Sequence, residues 1–114
     1  MVLEVDVAIV IEINLQDFPY YEQPVILQDS SFILRLRWNT REACYYFDLL
    51  EQNGAPIILG TKLVDSFPML GRQDLTDYGL TGSFGLFATG TSQPEITSYS
   101  DIPQYYRLFY IYDE

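Results

Sequence analysis

Residues 32–60 read "FILRLRWNTREACYYFDLLEQNGAPIILG", and their period constrains the fold more than any other feature. Phe32, Leu34, Leu36 and Trp38 fall on one side of a two-residue repeat; Ile33, Arg35 and Arg37 fall on the other. Successive side chains of a strand point to opposite faces, whereas a helix would scatter these residues around its circumference. The stretch therefore predicts strands joined by tight turns. Taking residues 39–42 as the first loop pairs Trp38 with Ala43, Leu36 with Tyr45, Leu34 with Phe47 and Phe32 with Leu49. A slip of one residue would mix the faces, so the pattern selects against it. Asp48 then lies opposite Ile33 and diagonal to Arg35, within reach of a cross-strand ion pair. At the second turn, a two-residue Asn53-Gly54 loop would put Ile58, Gly60 and Lys62 on the core face. A three-residue loop, Gln52-Asn53-Gly54, puts Ile57, Leu59, Thr61 and Leu63 there instead. The second set is the more apolar, and its turn type needs a left-handed residue where Gly54 stands. This arrangement sends Ile58 outward. Pro56 has no N–H to donate, which predicts a strand near a sheet edge.

The rest of the chain is punctuated in the same style. Residues 5–13 alternate and are rich in β-branched side chains, the signature of a strand. Residues 14–24, with two prolines, read as a loop. A short strand over 25–27 and a turn at "QDSS" follow. Residues 65–103 are looser: one helical turn around 66–70, a short strand over 86–89 and a second long loop up to Pro103. The last strand, 105–112, is apolar on both faces, with Tyr106, Leu108, Tyr110 and Tyr112 against Tyr105, Phe109 and Ile111. Only Arg107 is charged. Such a strand is covered on both sides, by the fold or by a partner. The expected fold is all-β, a small antiparallel β-sandwich or partly closed β-barrel with two long loops, forming a single domain over residues 1–114.

Composition bears on function mainly by exclusion. The chain has no His, which removes the commonest general base and metal ligand and rules out Ser–His–Asp and Cys–His chemistry. Asp74 and Asp77 are the best local carboxylate pair, but they lack the oxygen spacing of a calcium loop. The lone Cys44 sits on a strand, with Arg37 as its expected cross-strand partner, and reads as structural. No catalytic, metal-binding or cofactor-binding residues emerge. Six cations against sixteen acids give a net charge of −10, which disfavours phosphate backbones and anionic membranes. The acidic start and the break at Glu12 fit neither a signal peptide nor a membrane span. Ten tyrosines leave open a carbohydrate-binding or adhesion module, the alternative reading.

Several pieces occur in an order that resembles a known family. They are Pro19 to Gln23, the Arg-Trp-Asn at 37–39, the aromatic-Asp strand 45–48, the following Gly turn, residues 60–63 and the closing Leu108 to Tyr110. Together they resemble the small plug proteins of contractile-tail baseplates in cyanophages and related myophages. The resemblance implies a non-enzymatic virion component at the tail tip, closing the tube in the hub or spike region. Its implied partners are other tail or baseplate proteins (hub, spike or tube), or further copies in a ring. With the charge read above, the expectation is no direct nucleic-acid binding, no membrane and no cofactor. A part wedged among neighbours would bury its outward apolar residues, so Tyr46, Ile58, Tyr105, Phe109, Ile111 and Tyr112 are the candidate partner interface.

Overall fold

The computed structural model describes residues 8–64, 75–90 and 96–113. Among the described residues seven strands run in chain order: β1 (Ala8–Ile13), β2 (Tyr20–Leu27), β3 (Ser30–Asn39), β4 (Cys44–Glu51), β5 (Pro56–Lys62), β6 (Ser83–Ala88) and β7 (Tyr106–Asp113). One short helix, α1 (Asp101–Tyr105), leads into β7. The helical turn expected around residues 66–70 lies outside the described residues, as does the start of the first strand. A 3-10 turn occurs at Thr76–Tyr78.

The strands form two sheets. One has three strands in the order β1-β7-β6; the other has four in the order β2-β3-β4-β5. Every pairing is antiparallel. The sheets pack face to face as a sandwich, with no closed barrel. Phe47 of β4 and Phe84 of β6 meet across the interior with ring centroids 5.5 Å apart. Leu34, Leu36, Leu49, Phe84 and Tyr110 are the fully buried centre of the core. A polar strap also joins the sheets. The Thr81 N–H donates to Gln28 Oε1 at 2.8 Å, Gln28 Nε2 donates to Thr81 Oγ1 at 2.9 Å, and the buried Tyr110 hydroxyl donates to Gln28 Oε1.

The strand faces expected for β3 and β4 are those observed, but the register differs by two residues. Trp38 pairs with Tyr45, Leu36 with Phe47, Leu34 with Leu49 and Asn39 with Cys44. A two-residue shift preserves every face, so the apolar pattern alone could not select between the two registers. The loop itself selects. It runs over residues 40–43, with Ala43 at φ +52° and the Glu42 N–H donating to Asn39 Oδ1 at 3.0 Å. Asp48 is consequently opposite Arg35, not Ile33, and Cys44 is opposite Asn39, not Arg37.

The turn between β4 and β5 is the bulged one. The Gly54 N–H donates to Glu51 O at 2.8 Å, the Glu51 N–H donates to Ala55 O at 2.8 Å, and Gly54 takes φ +91°. Ile58 nevertheless corrects the expectation: it is buried, not outward. Two further irregularities in β5 are the reason. The pairs Leu50–Pro56, Leu49–Ile58 and Phe47–Thr61 leave Ile57 as an extra residue and set Leu59 and Gly60 together against Asp48. The first bulge turns Ile58 into the core opposite Leu49 and leaves Leu59 at 62% exposure. The second restores Thr61 and Leu63 to the expected side.

Three other elements depart from the sequence reading. β2 begins at Tyr20, inside the expected loop, and carries Pro24. It is an edge strand, so the missing N–H faces no neighbour. β5, with Pro56, is the opposite edge of the same sheet, as expected. The residues before β7 form α1, because Asp101 accepts hydrogen bonds from the N–H groups of Thr97 and Ser98 at 2.9 and 3.1 Å and organises the turn. Those two N–H donors hold the Asp101 carboxyl below its ordinary pKa.

Candidate functional site

Two outer sheet faces are the candidate interaction surfaces, and the register fixes what each displays. On the three-stranded sheet, Val10, Ile111 and Ser83 form one cross-strand row, and Glu12, Phe109 and Gly85 form the next. Arg107 and Phe87 make the third. The result is an apolar patch of Val10, Phe87, Phe109 and Ile111. Val10 is 56% exposed, and Phe109 and Ile111 are half-buried. Gly85 has no side chain, which leaves room for the Phe109 ring beside Phe87, centroids 5.9 Å apart. Glu12 and Arg107 pair at 3.8 Å along the rim. That contact is exposed and adds little stability.

The opposite face of the sandwich belongs to the four-stranded sheet. Here Tyr20, Arg37, Tyr46 and Lys62 form a row, and Glu22, Arg35 and Asp48 form the next. The third row is wholly apolar: Pro24, Ile33, Leu50 and Pro56. Asp48 is the sole buried charge among the described residues, at 1% exposure. Arg37 approaches its Oδ1 at 3.2 Å, Arg35 its Oδ2 at 3.6 Å, and the Gly60 N–H donates to Oδ1 at 2.7 Å. Arg35 also reaches Glu22 at 3.2 Å. A buried carboxylate without such partners would be strongly unfavourable.

The six residues singled out from sequence do not converge. Phe109 and Ile111 share the three-stranded sheet's outer patch. Tyr46 lies on the opposite outer face, half-buried, its hydroxyl donating to the Glu42 carboxylate. That contact raises the Tyr46 pKa. Tyr105 ends α1 at 36% exposure. Tyr112 is half-buried on the inner side, its ring 5.7 Å from Tyr110. Ile58 is in the core. Sequence reasoning missed Val10 and Phe87, which only the pairing of β1 and β6 onto β7 brings beside Phe109. It set Ile33 and Leu50 on the outer side but missed the row they form with Pro24 and Pro56, because Pro24 lay in an expected loop.

The chemistry available is that of contact. Among the described residues no group of His, Cys, Asp or Glu is placed to hold a metal ion. An open cleft of about 500 Å³ near the Gln52–Asn53 turn is lined by Glu51, Asp77, Ser30 and Tyr78, among others. Cys44 is buried, and burial pushes its thiol pKa up, away from the reactive thiolate. No described helix is long and apolar enough to cross a membrane.

Comparison with known proteins shows the family. The family model for the cyanophage baseplate Pam3 plug gp18 matches residues 10–113. The chain belongs to this baseplate plug family. The match runs from within β1 to the end of β7, so it takes in both sheets and both outer faces. A search of curated proteins found no match. This plug protein is a structural component of the virion tail baseplate. Its membership carries with it association with other baseplate components.

Proposed function

We propose that this plug acts without catalysis, as one β domain held between other proteins of the tail hub and spike. The outer patch of the three-stranded sheet is its principal contact. A single observation carries the reading: Val10, Phe87, Phe109 and Ile111 are contiguous on one face, while the inner sides of the same strands fill the core. A free-standing protein seldom keeps such a patch in water. One core spanning both sheets supports a single domain over residues 1–114. The tyrosines that a glycan-binding module would display as a platform are in large part interior. Tyr45, Tyr106 and Tyr110 are all buried.

Incorporation into tails is the test. Phe109→Asp places a carboxylate at the centre of the patch without touching the core. The expected variant is soluble, has the circular dichroism of the parent and is missing from purified tails. Normal incorporation would contradict the reading.

A further inference from the structure

We propose that the outer face of the four-stranded sheet is a second docking surface, and that it takes a different baseplate protein presenting carboxylates beside an apolar strip. The inference rests on the reading that the plug is built in among other baseplate proteins. It names the chemistry of one of them.

Charge distribution is the first argument. The chain as a whole carries −10, yet four of its six cations, Arg35, Arg37, Arg41 and Lys62, lie on this face or on the β3–β4 loop at its end. Only three carboxylates, Glu22, Glu42 and Asp48, share the region. Asp48 is buried between Arg35 and Arg37 and offsets part of their charge; four cations less three carboxylates leave the region at +1 against −11 on the rest of the chain. Arg37 keeps 42% of its side chain exposed, and Lys62 is exposed beside Tyr46. This is a locally basic rim on an acidic molecule, and basic rims meet acidic ones.

The apolar strip is the second argument. Pro24 and Pro56 are exposed and Ile33 half-buried along one row across the sheet, with Leu50, itself buried at 2% exposure, as its floor. Ile26 and Leu59 stand nearby at 66% and 62% exposure. Proline occurs on both edge strands, and β5 carries two bulges besides, so neither edge invites an added strand. What remains for a partner is the face itself: apolar on one half, cationic on the other. A second copy of this chain would bring another −10 with it. A protein with a local acidic patch on a less charged body would not.

Lys62 is the chain's only lysine, which makes the idea directly readable. Purified baseplates are treated with a zero-length carbodiimide, which condenses an amine with a carboxylate already in contact, and the links are mapped by mass spectrometry. The expected link joins Lys62 to an Asp or Glu of another baseplate protein. In parallel, Lys62→Glu is expected to fold normally and to lower incorporation severalfold, more so as salt is reduced. A Lys62 link to a second copy of the chain would overturn the proposal. So would a Lys62 amine acetylated as fast in the assembled baseplate as in the free protein. If the chain is present with Lys62 open, this inference alone fails. If the chain is absent from the baseplates, the reading beneath it fails too.

Discussion

Replacing Asp48 by Ala removes the acceptor that holds Gly60 in the β5 bulge, takes the carboxylate away from Arg37 and leaves Arg35 with Glu22 alone. Losing a hydrogen bond to a charged acceptor of this kind costs about 1.5–3 kcal/mol. We expect a lower denaturant midpoint with an unchanged slope; an unshifted midpoint would show that Asp48 does not hold the bulge. Gly82 is the other sensitive position. A Cβ there would lie 2.4 Å from the Ile111 carbonyl oxygen and 2.7 Å from Tyr112 Cβ. Backbone cannot move aside as a flexible side chain can, so Gly82→Ala should cost about 1–3 kcal/mol. Thermal melts compare it with Gly90→Ala, where a Cβ meets nothing. At this scale the sequence was legible where one face is apolar and the other is not, as at Leu34 and Phe47. It was illegible at Ile58. Whether an isoleucine in "PIILG" turns in or out depends on bulges, and a buried Asp48 on the neighbouring strand sets one of them.

Among the elements, β7 was the plainest in sequence and β2 the least. β7 has apolar residues at both parities, and the fold covers only one of them: Tyr106, Leu108 and Tyr110 are buried, while Phe109 and Ile111 remain half-buried outside. The expectation of two-sided cover therefore passes to a partner. β2 was hidden by Pro24, because a proline argues against a strand unless the strand is known to be an edge. α1 was hidden because a single turn has no period to detect. Ile111→Asp tests β7 separately from Phe109. Ile111 lies beside Val10, so a charge there should also exclude the folded chain from tails. Retention would confine the contact to the Phe87–Phe109 end.

For the whole molecule, the buried tyrosines set the response to alkali. Burial raises the pKa values of Tyr21, Tyr45 and Tyr110 above the ordinary 10. The unfolded chain gives up those protons near pH 10, whereas the folded chain keeps them. Stability is therefore full below pH 10 and declines as pH rises through the higher folded values. Tyrosinate absorbance should rise in two stages, exposed residues first and buried ones together with unfolding. A single non-cooperative titration near pH 10 would contradict the burial. The sandwich was readable from the alternation, but the order of its sheets was not. β1 and β7 come from the two ends of the chain, and nothing local to either names the other.

The outer patch of the three-stranded sheet is ascribed to a contact within the baseplate, and hydroxyl-radical footprinting tests that most directly. The free protein and purified tails are oxidised side by side and digested. Oxidation at Val10, Phe87, Phe109 and Ile111 should fall severalfold on assembly. Equal oxidation of the patch in the two samples would contradict the account.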